Sequence, residues 1–190
     1  KKMVRDNLNE FSQQMTDAGL DAHVVLIASG SSDGGICIQS PLGSGSCPDD
    51  HNPPQLFRDY QWVGSHNALQ RFVGQWSNYS AVIRENSMKY YAVVTDDDAD
   101  WSAAYFTDQR NTQDPAGADS WTFFGLFCKY RDSGGVYNTL VTQTDGLHVE
   151  LCTSKPDWQS VFDEMFQTVM ENRSLECSIE IPDAPAAFPF

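Results

Sequence analysis

The chain has 190 residues, 41% of them hydrophobic and 12% aromatic, which suffices for one substantial core and suggests a single domain. Asp and Glu number 26 against 12 Lys and Arg, a net charge of -14 that repels a phosphate backbone, and no basic patch offsets it, so nucleic acid is not expected as a partner. No apolar run approaches the roughly 20 residues that cross a bilayer, and the opening KKMVRDNLNEF lacks the apolar stretch of a signal peptide.

In chain order, Val4, Leu8, Phe11 and Met15 repeat at helical spacing and Gly19 supplies a stop, so residues 1 to 18 are predicted to form an amphipathic helix. AHVVLIA (22 to 28) is a continuous apolar strand, and residues 30 to 55 form a long loop dense in Gly, Ser, Pro and Asp. DYQWV is predicted as a short strand, after which Ser65 or Asn67 can cap a helix through ALQRFVGQW. MKYYAVVT (88 to 95) is the next strand, with a helix expected over 101 to 110. TFFGLFC is a buried strand, VYNTLVTQTDG a short helix stopped by Gly146, and LHVELC a last strand. Ser154 to Asp157 fits a capping box, and Trp158, Val161, Phe162, Met165, Phe166 and Val169 form the apolar stripe of a helix lying on a sheet. Strands alternating with helices predict an α/β fold, a three-layer αβα sandwich around a mostly parallel central sheet.

Five cysteines constrain the environment. Cys37 and Cys47 bracket a Gly, Ser and Pro loop, and Cys152 and Cys177 bracket the last helix, so each pair is expected to form a disulfide in a secreted protein. Cys128 lies in an apolar strand and is expected as a buried free thiol. The competing expectation is five reduced cysteines in a cytosolic protein. No CxxC or HxxxH spacing marks a zinc site, and His66 and His148 are taken as structural.

The candidate site is YAVVTDDDADW, where Asp96, Asp97 and Asp98 close a predicted strand. Ligands of open α/β sheets bind beyond the carboxyl ends of the strands, and three adjacent carboxylates repel one another unless a hard cation, Mg2+ or Ca2+, relieves them. Ser65, just past another strand in VGSHNAL, can add an oxygen ligand at the same edge. The alternatives are a solvated acidic turn capping the helix near Trp101, and a plain N-cap at Ser65.

Helix, strand, long loop, strand, a Ser opening a helix, then VVTDDDAD closing a strand: this order resembles the von Willebrand factor A domain. The resemblance is closest to bacterial secreted versions with a cysteine-bracketed loop and a VGSHNAL-like turn. It covers residues 1 to 181 and leaves the Pro-rich 182 to 190 as a tail or linker. It implies a metal-ion-dependent adhesion site in which Asp96 is the third-loop aspartate, Ser65 stands at the place of a Thr, and Asp98 adds a carboxylate. It also implies a secreted, periplasmic or cell-surface binding module, without enzymatic activity, whose partner is a protein ligand or another domain of a larger surface assembly. Two departures stand out: Asp97 replaces the usual Gly, and the first strand of the family with its DxSxS motif is absent, which predicts that this strand is missing or supplied from elsewhere.

Asp96-x-Asp98 after an apolar strand also resembles the nucleophile turn of haloacid-dehalogenase-like phosphatases and the DxD of metal-dependent glycosyltransferases. Both want companions that are not visible: Lys129 and Lys155 are available, but no later acidic pair follows a strand, and nothing suggests a nucleotide pocket.

Overall fold

The computed structural model describes residues 2–30, 36–46, 50–153 and 156–172. It is an α/β fold in which every named strand pair is parallel. Helix α1 (Lys2–Asp17) leads through Gly19, which adopts φ +72°, into β1 (Val24–Ile27), and β1 pairs with β2 (Leu56–Asp59). The left-handed backbone at that turn favours glycine because a Cβ would crowd the following carbonyl. After the short helices α2 (Ala68–Gly74) and α3 (Trp76–Tyr79) come β3 (Lys89–Thr95), α4 (Ala103–Gln113), β4 (Trp121–Phe127), α5 (Val136–Gln143), β5 (His148–Glu150) and α6 (Trp158–Glu171).

Among the described residues the strands form two sheets, β1-β2 and β3-β4-β5, where the sequence predicts one. Strand β4 is buried at all seven positions and supplies both cores. Trp121, Phe123 and Phe127 pack with Leu69, Val73, Phe106, Tyr137 and Leu140 from α2, α4 and α5. Phe124 and Leu126, on the opposite face, pack with Leu8 and Met15 of α1 and with Val161, Phe162, Met165 and Val169 of α6. A strand covered by helices on both faces has no polar side, which is why TFFGLF shows no alternation. At position 125 only glycine fits, since a Cβ would meet the Phe127 ring and Val141.

Several expectations are corrected. The second strand is LFRD, not DYQWV: Leu56 is fully buried, whereas Trp62 is 68% exposed. Aromatic content suggested a strand where the chain has already left the sheet. The helix predicted as ALQRFVGQW breaks at Gln75 into α2 and α3. Neither Ser65 nor Asn67 caps α2 through its side chain; Asn67 Oδ1 instead accepts the Gly64 amide at 2.9 Å. For α6 the cap is Asp157, which accepts the Gln159 amide, and Ser154 lies outside the described residues.

The cysteine assignment also changes. Cys128 is buried, but it is disulfide-bonded to Cys152 with a Cα–Cα distance of 5.2 Å, so Cys152 does not pair with Cys177 and Cys128 is not a free thiol. The register explains it: Phe127 lies opposite Glu150, so Cys128 and Cys152 leave neighbouring parallel strands at the same edge. Cys37 is disulfide-bonded, and Cys47, Cys177 and the tail at 182 to 190 lie outside the described residues.

Candidate functional site

Three loops meet where β2, β3 and β4 end. The first carries Ser65 and His66, the second Asp96 to Asp98, and the third Arg131 to Ser133. Thr95, the last residue of β3, donates its hydroxyl to the Ser65 carbonyl at 3.0 Å, and the Asp100 amide donates to the His66 carbonyl at 3.0 Å. The first two loops are thereby tied by one side-chain and one backbone hydrogen bond, independent of any ion.

Asp98 is the hub. One of its oxygens lies 3.1 Å from His66 Nδ1, and the other accepts the Ser133 hydroxyl at 2.7 Å. Asp97 faces the other imidazole nitrogen, His66 Nε2, at 3.4 Å. His66, Asp97 and Asp98 present ligand atoms within 4.8 Å of one another. Asp96, expected to lead the site, is exposed and stands outside this trio, and the carbonyl of Ser65 accepts from Thr95. Of the three predicted residues, Asp98 is therefore the one placed at the convergence. His66, expected to be structural, is held between two carboxylates.

The electrostatics follow from this geometry. The Ser133 hydrogen bond is the largest influence on Asp98 and, with His66, holds its carboxyl below the ordinary value despite opposing desolvation. His66 feels desolvation most, which lowers its pKa, but Asp97, Asp98 and Asp100 together outweigh it and leave the imidazole raised above 6.5. Arg131 lies in the field of Asp97 and Asp96 and leans over the Tyr130 ring at 5.8 Å, so a second cationic group borders the turn. Behind it, the Tyr137 hydroxyl is fully buried without a hydrogen-bond partner among the described residues. Burial, then the charges of Asp132, Asp98, Asp100 and Asp97, push that phenol far up.

Asp132 is buried on the same side but committed: it accepts the amides of Val136, Tyr137 and Asn138 at 2.9, 3.3 and 3.0 Å and so caps α5. Cys128, Glu150 and Cys152 also cluster, but their sulfurs are spent in the disulfide. A surface depression of about 520 Å³ lies between α4 and α5, lined by Thr107, Asp108, Asn111 and Gln143 among others, and none of Asp96, Asp97 and Asp98 lines it. None of the helices is long and apolar enough to cross a membrane among the described residues.

No family model, curated protein or solved structure matches the chain.

Proposed function

We propose that this chain is a protein-binding module of the von Willebrand factor A kind, belonging to a secreted or cell-surface protein, that grips an acidic group of its partner through Mg2+ or Ca2+ held at the strand-end turn. The observation that carries this reading is the convergence of three loops on Asp98 at the carboxyl ends of parallel strands. Asp98, Asp97, Asp96 and the Ser65 loop offer the hard oxygens such ions prefer, and water completes the shell and leaves a position for the partner's carboxylate. The Cys128–Cys152 disulfide suits an oxidising compartment. The module acts by binding, without turnover.

Calorimetric titration of Mg2+ and Ca2+ into the chain tests this. We expect affinity on the order of 10⁻⁴ to 10⁻³ M, typical of extracellular sites with few protein ligands, and a loss of about tenfold or more in Asp98→Asn. Equal binding by wild type and Asp98→Asn would remove the ion from the reading. Preferential Zn2+ binding lost in His66→Gln would replace the oxygen set with an imidazole set. Phosphatase or glycosyltransferase turnover abolished by Asp96→Asn would replace the module with an enzyme.

A further inference from the structure

Among the described residues four aromatic side chains are exposed, Tyr60, Trp62, Tyr105 and Tyr130, by 45, 68, 48 and 65%. All four lie on segments that leave the carboxyl ends of strands: Tyr60 and Trp62 after β2, Tyr105 in the first turn of α4 after β3, and Tyr130 after β4. None belongs to either core cluster. Exposed apolar side chains gathered on one face mark a contact surface, and Trp and Tyr are the types that anchor protein interfaces.

Contacts place two of these rings beside the acidic turn. The Trp62 ring lies over Gly64, with three of its atoms 2.6, 2.9 and 3.3 Å from the position a Cβ would take there. That sets it next to Ser65 and His66, the loop that meets Asp97 and Asp98. Tyr130 adjoins Arg131, which leans on its ring at 5.8 Å and stands in the field of Asp97 and Asp96. Arg58 likewise lies over the Tyr60 ring at 4.6 Å. Two of the four rings thus already hold a guanidinium group of their own chain.

Charge selects what such a face takes. Asp96, Asp97, Asp98 and Asp100 crowd one turn, and Asp96 and Asp100 are exposed. Beneath them the Tyr137 hydroxyl is fully buried and without a hydrogen-bond partner among the described residues, in the field of Asp98, Asp100 and Asp97. A divalent cation on the turn would offset two of the four carboxylates and Arg131 a third, while an acidic group gripped by that cation would restore one negative charge. The face therefore stays negative with or without the ion. We infer that it docks an arginine-bearing protein segment, with guanidinium groups stacked on Trp62 and Tyr130 and paired to Asp96 and Asp100. Arginine suits it better than lysine, because a planar, weakly hydrated head stacks on a ring and pairs with a carboxylate at the same time. The net charge of -14 also speeds the approach of a basic segment. Docking of this kind does not depend on an ion at the turn and so goes beyond the cation reading.

Fluorescence anisotropy tests it with a labelled octapeptide of alternating Arg and Ser and with the same peptide carrying Lys for Arg, each in Mg2+ and in EDTA. The Arg peptide should bind about fivefold more tightly than the Lys peptide in both conditions. That preference should fall to about twofold or less in Trp62→Ala and in Tyr130→Ala, and Met88→Ala, exposed ahead of β3, should keep it. Gly64→Ala gives a second reading, since it leaves every charge and ring in place but drives the Trp62 ring off the loop; it should lower the preference as Trp62→Ala does. Equal affinity for the two peptides overturns the docking face, because binding is then undirected charge. So does an Arg preference that survives both ring variants. Arg preference in a chain that binds no Mg2+ would remove the ion and leave the docking face standing.

Discussion

At His66 two effects of opposite sign meet in one ring. Desolvation lowers its pKa, while Asp97, Asp98 and Asp100 raise it and win. A group raised in the folded state contributes stability that is complete below its unfolded value, about 6.5, and that contribution is lost as pH rises through the folded value. Cation binding runs the other way, because the imidazolium competes for the carboxylates an ion needs. Mg2+ affinity should therefore climb between about pH 6 and pH 8, and His66→Gln should flatten that climb; an NMR titration of the imidazole with and without Mg2+ reads both. A His66 pKa at or below 6.5, or one that Mg2+ leaves unmoved, would separate the histidine from the site. The acidic end of this constellation was legible in the sequence because a run of aspartates closing an apolar strand is a local pattern. His66 and Ser133 were not, since each meets Asp98 only through the packing of loops that follow different strands.

Among the elements, β5 is the slightest: three residues, each half-buried, at the edge of its sheet. Its C-terminal end is fastened to β4 by the Cys128–Cys152 bond, with Glu150 also accepting the Lys129 and Cys152 amides at 3.1 and 2.8 Å. Cross-linking residues 24 apart in sequence removes enough freedom from the unfolded chain to contribute about 3 kcal/mol. The Cys128→Ser, Cys152→Ser double variant should lose about that much in urea unfolding, and peptide mapping without reductant should recover the two cysteines linked. Recovering Cys152 linked to Cys177 instead would contradict the pairing. Sequence favoured that other pairing because two cysteines flanking a helix are conspicuous, whereas the proximity of two strand ends exists only after β4 and β5 align. Long elements such as α1, β4 and α6 were readable from periodicity or continuous apolarity, and their bounds moved by only a few residues. Strand β2 was misplaced because its inward Arg58 and Asp59 break the apolar pattern: both are buried, and Arg58 is neutralised by Asp50 at 2.9 Å.

For the whole molecule the dominant fact is charge. With a net charge of -14, self-repulsion opposes the compact state, and the screening length shrinks from about 20–30 Å in dilute salt to about 8 Å at physiological ionic strength. Raising NaCl over that range should raise the melting temperature by a few degrees. Mg2+ at matched ionic strength should add a further increase that Asp98→Asn removes. A melting temperature indifferent to NaCl would show that the acidic groups are already neutralised in pairs. The α/β class and the parallel strands were legible in the alternation of elements. The division into two sheets is not a matter of propensity, because pairing depends on which strands lie next to each other rather than on what each contains.

Arg58 shows what the fold keeps constant. Its guanidinium donates to the carbonyls of Leu26 and Ile36 at 2.8 and 3.1 Å and approaches those of Ala28 and Ser29, while Asp50 holds its Nε. The chain leaving β1 and the chain coming back are thus moored to one post. Loop-closure cost grows only slowly with length, so it is the arginine, rather than the length of the connection, that fixes where the two strands stand relative to each other. The arginine has little latitude: lysine could keep the charge but not the planar fork that serves several carbonyls at once.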